Sequence, residues 1–172
     1  MAAYEPRADV ATALVAYVAL GSNLGDSANE LRNAAALLAR LCDGLTRSSI
    51  YRTTPVGGPA GQADYLNAVV AMAGPQLGPR ALLNELLVIE RRRGRVRDER
   101  WGPRILDLDL LAYGLEVVDD PVLSLPHPRL HQRAFVLAPL CELAPGWRLP
   151  DVGATACALL ARLPAVGVER TE

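Results

Sequence analysis

"ALVAYVALGSNLGDSANELRNAAALLARL", residues 13–41, sets the frame for everything after it. Its first nine residues form an apolar run ending at Gly21, the length of a buried strand. Ser27 then stands as a helix N-cap with Glu30 three residues on as its reciprocal partner. Leu31, Ala35, Leu38 and Leu41 follow at helical spacing, so a strand feeds a helix. The junction "GSNLGD" sits where a phosphate loop would, but lacks the Gly-Lys-Ser/Thr ending and is expected to be a tight turn.

The pattern continues downstream. "TRSSIYRTTPV" (46–56) and "DYLNAVVAM" (64–72) are strand-like runs joined by the turn-rich "GGPAGQ", an antiparallel pair with a long glycine-rich connection. A second helix is signalled at both ends, by Pro79 in its first turn and by Arg91, Arg92 and Arg93 before Gly94, with Leu82, Leu83, Leu86 and Leu87 on one side. "ILDLDLLAYG" (105–114) is a fourth strand. The order strand, helix, strand, strand, helix, strand predicts an α+β, ferredoxin-like βαββαβ core: a mainly antiparallel sheet with its helices packed on one face. A C-terminal extension follows, with a short hairpin around "GLEVVDDPVLSLP" (114–126), the apolar segment "RAFVLAPLCELAP" (133–145) and a small helix over about 153–163. Residues 1–13 carry no pattern and are expected to form a loose arm, leaving 14–172 as one domain.

Composition narrows the class. The chain has 172 residues, enough for one domain with a sizeable core, and its 51% hydrophobic and 22% charged residues are those of a folded soluble protein. Neither a long apolar run nor a signal-peptide pattern is present, which points to the cytoplasm and away from a membrane. A net charge of -1 argues against a general nucleic-acid binder. All 18 basic residues are arginine, so a lone arginine means little and only clustering counts. Cys42, Cys141 and Cys157 are odd in number and lack C-x-x-C spacing, and are expected to be reduced, buried small hydrophobes.

Clustering occurs in "RGRVRDERWGPRILDLDLLAYG", residues 93–114. In a strand Asp107 and Asp109 share a face with Ile105 and Leu111, while Leu106, Leu108 and Leu110 face the other way. Two carboxylates so placed repel unless a cation joins them, and an all-oxygen pair suits Mg²⁺; solvated aspartates on an exposed face are the plain alternative. Arg95, Arg97, Arg100 and Arg104 precede them on a glycine-punctuated segment, and guanidinium forks match phosphate oxygens. Arg91, Arg92 and Arg93 need no such role, since they complement a helix C-terminus. Trp101 offers either a stacking surface for a planar ligand or a pin for its own loop. Tyr65 and Asn67 share a strand face, an arrangement that suits a flat heterocycle or an ordinary half-polar strand. Glu90 continues the apolar stripe of its helix and should point into protein, towards an arginine or hydroxyl. His127 and His131 are four apart, but Pro128 between them argues against a shared helical zinc face.

Taken in order, "ALGSNLGD", "SSIYRTTPVGG", "DYLNAVV", "GRVRDERWGPRILDLDLLAYG" and "LPHPRLHQRAFVLAPL" resemble the 6-hydroxymethyl-7,8-dihydropterin pyrophosphokinase family of folate synthesis, over roughly 14–165. The resemblance implies transfer of the terminal two phosphates of ATP to the hydroxymethyl group of a reduced pterin, releasing AMP, with two Mg²⁺ ions on a ferredoxin-like core. By matching positions it implies that Asp107 and Asp109 are the metal ligands, and that these two with Arg97 and Arg100 are catalytic. It implies ATP contacts from Arg95, Arg97, Arg100, Trp101, Arg104, His127 and Arg133, with Ser124, Leu110 and Glu90 near the nucleoside. It implies a pterin slot of Thr53, Thr54, Val56, Tyr65, Asn67, Trp101 and Phe135, the ring lying between Trp101 and Phe135.

Thr54, Leu87 and Pro128 depart from the family pattern, at positions where a proline, a glutamine and an aromatic are found. The implied partners are small molecules, with neither nucleic acid nor membrane, acting on a monomer. A nucleotide-sensing module would need neither paired aspartates nor an arginine cluster. A magnesium nuclease would need a more basic surface than this net charge allows.

Overall fold

The computed structural model describes residues 14–55, 59, 61–94, 102–164 and 167–171. The N-terminal arm expected over 1–13 therefore lies outside the described residues. Eight strands and four α-helices are described. They run β1 (Val15–Ser22), α1 (Ser27–Leu38), β2 (Cys42–Arg47), β3 (Tyr51–Thr53), β4 (Tyr65–Pro75), α2 (Pro79–Arg92) and β5 (Asp107–Tyr113). Then follow β6 (Val118–Asp119), β7 (Ser124–Leu125), α3 (Ala134–Leu143), α4 (Ala156–Leu160) and β8 (Val168–Arg170).

The main sheet has the order β5-β1-β4-β3-β8, with β2 also paired to β4 and every pairing antiparallel. With β2 and β3 counted as one interrupted strand, this is the ferredoxin-like order. The interruption was not expected. At Ser48 the hydroxyl accepts from Val69 N at 3.0 Å while Ser48 N donates to Val69 O at 2.9 Å. A side chain thus replaces one ladder partner, and the strand splits around it.

Alternation along the strands builds two cores. Ala16, Val18 and Leu20 of β1, Ala68, Val70 and Met72 of β4, and Leu108 and Leu110 of β5 meet Leu31, Ala34 and Leu38 of α1 and Leu82, Leu86 and Ile89 of α2. Val69, Tyr17, Leu111 and Ala112 point to the opposite side, where Val136, Leu137 and Leu140 of α3 and Ala156 and Leu159 of α4 cover them. The two helices of the βαββαβ core, α1 and α2, thus share one face as expected. The apolar 133–145 segment is a helix and, with α4, forms a second layer on the other face. Leu111 and Ala112 both turn that way because the β1–β5 register shifts there: Val18 pairs with Leu110 and Tyr17 with Ala112.

Other expectations shift locally. Asp26, not Ser27, caps α1, its Oδ1 accepting from Asn29 N at 3.2 Å. Glu30 is then free to pair with Arg93, whose Nε donates to it at 2.8 Å, tying the end of α2 to the start of α1. The hairpin at β6–β7 forms as expected, α4 is shorter than 153–163, and β8 on the edge of β3 was not anticipated. Cys42 is free and buried, but Cys141 and Cys157 form a disulfide, correcting the expectation of three reduced thiols. Packing α4 on α3 brings residues 16 apart in sequence to a Cα separation of 4.9 Å. Among the described residues no helix is long and apolar enough to cross a membrane.

Candidate active site

On the α3/α4 side, the upper halves of β1, β4 and β5 are not sealed. Gly21 lies between Asn67 on one neighbour and Asp107 on the other, and Ala19 lies beside Asp109. The smallest residues of β1 thus form a floor between polar side chains. A Cβ at Gly21 would stand 3.4 Å from Asn67 Oδ1 and 3.9 Å from Asp107 Cβ, so even a methyl group would narrow the site. Over this floor opens a cleft of about 790 Å³, within the range of small-molecule sites. Thr53, Thr54, Tyr65, Asn67, Arg104, Asp107, Asp109, Arg133 and Phe135 line it. Nine positions singled out in the sequence are brought together.

The heterocycle end is pre-set by hydrogen bonds. Asn67 Nδ2 donates to Thr53 Oγ1 at 2.8 Å, both residues buried, and Tyr65 OH donates to Gly102 O at 3.1 Å. At the charged end each aspartate faces an arginine. Arg104 Nη1 donates to Asp107 Oδ2 at 2.6 Å and Arg133 Nη1 to Asp109 Oδ2 at 3.2 Å. The Arg133 guanidinium also lies over the Phe135 ring, 5.6 Å from its centroid, so one side chain spans both ends.

A second, smaller groove of about 250 Å³ adjoins the first, lined by Leu83, Leu110, Val122, Ser124, His127 and Pro128 among others. Asp109 lines both cavities. His127 Nδ1 accepts from Arg129 N at 3.1 Å, which turns Nε2 towards Asp109 Oδ2, 4.0 Å away. Burial lowers the His127 pKa below the usual histidine value; Asp109 pulls the other way and Arg133 adds to the lowering. A neutral ring carrying its proton on Nε2 follows.

Glu90 stands apart from both cavities. It is 1% exposed, and its Oε1 accepts from Leu108 N at 2.7 Å, a backbone partner that the sequence did not suggest. His131 contacts Gln132. Val56, Arg95, Arg97, Arg100 and Trp101 lie outside the described residues. Sequence reasoning missed Arg129 and Gln132 of the cleft, and Leu163, Pro164, Gly167 and Val168 of its C-terminal wall. Arg129 had a signal, as one of two arginines in "PHPRLHQRAF".

Among the described residues no group of three or more His, Cys, Asp or Glu side chains gathers around one point. The donor set at the junction is two half-buried carboxylates on one strand face. That set fits a hard divalent ion that keeps waters or phosphate oxygens as its remaining ligands, as Mg²⁺ does, and it does not fit a closed zinc site.

An α+β sheet carrying a concave, arginine- and aspartate-lined cleft has the shape and charge of a small-molecule site. Residues 17–145 match the model of the 7,8-dihydro-6-hydroxymethylpterin-pyrophosphokinase (HPPK) family, and the chain belongs to that family. It is 46% identical over 158 residues to the 2-amino-4-hydroxy-6-hydroxymethyldihydropteridine pyrophosphokinase of Pseudomonas aeruginosa, covering 90% of this chain and 94% of that one. It is 47% identical over 131 residues to the enzyme of the same name from Bacillus subtilis, covering 75% of this chain and 77% of that one. Among solved structures, Plasmodium falciparum HPPK-DHPS shares the fold at 14% identity and a TM-score of 0.70, covering 87% of this chain and 43% of that longer one.

Proposed function

We propose that this chain transfers the terminal pyrophosphoryl unit of ATP to 6-hydroxymethyl-7,8-dihydropterin, giving the pterin diphosphate and AMP in folate biosynthesis. The observation that carries the proposal is Asp109, which lines both the cleft and the adjoining groove. A nucleoside in the groove and a pterin in the cleft would meet across the carboxylate pair, where a triphosphate must pass.

In this assignment Thr53, Thr54, Tyr65 and Asn67 hold the pterin, with Phe135 against its ring. Leu110, Ser124 and His127 hold the nucleoside part, and Arg104 and Arg133 leave their aspartates for phosphate oxygens. Asp107 and Asp109 would hold Mg²⁺, which when bound neutralises phosphate charge. The roles of Arg95, Arg97, Arg100, Trp101 and Val56 rest on the sequence resemblance. The hydroxymethyl oxygen is positioned to attack the β-phosphorus in line with departing AMP. Such transfer depends on positioning and charge stabilisation rather than on a protein nucleophile. The pre-bonded Asn67 and Thr53 pair supports this, because it holds the polar groups that would meet the pterin edge at fixed positions in the free protein. The setting we infer is a cytoplasmic monomer whose partners are small molecules.

Incubation with ATP, Mg²⁺ and the reduced pterin, followed by separation of nucleotides, tests the reaction. AMP should appear in step with pterin diphosphate. ADP as the nucleotide product would exclude pyrophosphoryl transfer.

A further inference from the structure

The charges that line the cleft do not balance. Among the described residues three arginines line it, Arg104, Arg129 and Arg133, against two carboxylates, Asp107 and Asp109. Arg104 donates to Asp107 at 2.6 Å and Arg133 to Asp109 at 3.2 Å. Arg129 is the remainder: among the described residues its guanidinium meets no carboxylate and makes no hydrogen bond.

The backbone of Arg129, by contrast, is fixed. Its N–H donates to His127 Nδ1 at 3.1 Å and its carbonyl accepts from Gln132 N at 3.2 Å. The next residue, Leu130, is 1% exposed and packs in the core formed with α3 and α4. The turn therefore presents an exposed cation at the cleft without neutralising it. Such a guanidinium can take an anion without first giving up a carboxylate, as Arg104 and Arg133 must.

Its place narrows the choice of anion. Arg129 lines the cleft and not the adjoining groove, although His127 and Pro128 just before it line that groove. It belongs with the cleft, across the shared Asp109 from the nucleoside groove. A triphosphate running from groove to cleft gives its α-phosphate to the first and its terminal phosphate to the second.

We propose that Arg129 is a substrate-binding residue for the terminal phosphate of the transferred unit, the γ-phosphate of ATP that becomes the distal phosphate of the pterin diphosphate. The proposal rests on the assignment of nucleoside to groove and pterin to cleft. The bond that forms and the bond that breaks both lie at the β-phosphorus, one phosphate away. Arg129 therefore contributes alike to ground and transition states, which sets substrate affinity and leaves turnover nearly untouched.

Arg129→Gln tests this, because it removes the charge and keeps both backbone bonds. Four probes should separate. The affinities for pterin diphosphate and for a non-hydrolysable ATP analogue with Mg²⁺ should each fall by about tenfold, the scale of one charge-assisted hydrogen bond at an exposed position. Those for the unphosphorylated pterin and for AMP should stay unchanged. In steady state the KM for ATP should rise by a similar factor at nearly constant kcat, and Arg129→Lys, which restores the charge without the fork, should recover part of the loss. Equal weakening of pterin and pterin diphosphate would mark a merely structural residue, and a loss confined to AMP would mark a nucleoside contact. Either result, or four unchanged affinities, or a fall in kcat at constant KM, overturns the proposal. A wild type that binds neither the ATP analogue nor the pterin instead overturns the assignment beneath it.

Discussion

The two faces of the main sheet are built from the same three strands, yet one is closed along its length and the other only along half. Towards α1 and α2 every second residue of β1, β4 and β5 is apolar and buried, from Ala16 to Leu20, Ala68 to Met72, and Leu108 to Leu110. Towards α3 and α4 the strands begin the same way, with Tyr17, Val69 and Leu111 covered and Tyr17 lying 4.9 Å from the Trp147 ring. Further along, the same rows carry Ala19, Gly21, Asn67, Tyr65, Asp109 and Asp107. The cleft is thus made by a change of residue type within a regular strand, with register inherited from the dry face. A site so placed is held at fixed spacing by a sheet whose other side is core.

Breaking the dry face should cost stability and leave chemistry intact. Leu86→Ala removes a fully buried side chain between α2 and the sheet, and should destabilise the protein by about 2–5 kcal/mol. Denaturant unfolding would read the loss, and turnover per folded molecule should stay near wild type. Breaking the open face should do the reverse. Asp107→Ala and Asp109→Ala each remove one oriented charge from half-buried positions, and kcat should fall by about 10²–10³ at a nearly unchanged melting temperature. A variant that kept full activity at limiting Mg²⁺ would lose its assignment as a metal ligand.

The contrast also explains what could be read from the sequence. The dry face was legible because strand alternation and helical spacing are local: Val18, Leu20, Leu31, Leu38, Leu82 and Leu86 announce themselves within a few residues. The aspartate pair was legible for the same reason, as was the shared face of Tyr65 and Asn67. The layer formed by α3 and α4 was not, since "RAFVLAPLCELAP" is apolar all round and carries no periodicity to reveal a face. The split at Ser48, the strand β8 and the Glu90 partner each depend on a residue brought from a distance, Val69, Tyr51 or Leu108. The cleft's C-terminal wall was missed for that reason too. Its residues mean nothing until β8 pairs with β3.

That wall offers a smaller test. The Cys141–Cys157 disulfide fastens α4 to α3 across a sequence separation of 16, a loop for which cross-linking contributes up to about 3 kcal/mol. Oxidised protein, unfolded without reductant, should show one reactive thiol, Cys42. Reduction should lower its stability and loosen the wall, raising KM for the pterin while KM for ATP stays nearly constant. Three thiols would mean that α4 is held by packing alone.

The smallest expected effect lies at the seam between α3 and the sheet edge, where Glu142 accepts from Ser49 N and Ser49 Oγ at 3.0 Å each and from Tyr51 OH at 2.8 Å. Burial would raise the Glu142 pKa, but these donors together outweigh it and hold the carboxyl below its ordinary 4.5. A depressed carboxylate stabilises the fold above its ordinary pKa and loses that contribution as pH falls through the folded value, so the seam should weaken below about pH 4.5. Tyr51 moves the other way: burial first, then the Glu142 bond, push it from 10.0 up to about 12, so its contribution is complete below pH 10 and is lost as pH rises towards 12. Glu142→Gln should cost less than about 1 kcal/mol at neutral pH, because the carboxylate and the Arg170 guanidinium 3.9 Å from it are both partly solvated. Its stability curve should also be flatter than the wild type's below pH 4.5. Parallel curves for the two proteins across that range would remove Glu142 as a fastening of α3. The second helical layer would then rest on its apolar contacts with Tyr17, Val69 and Leu111.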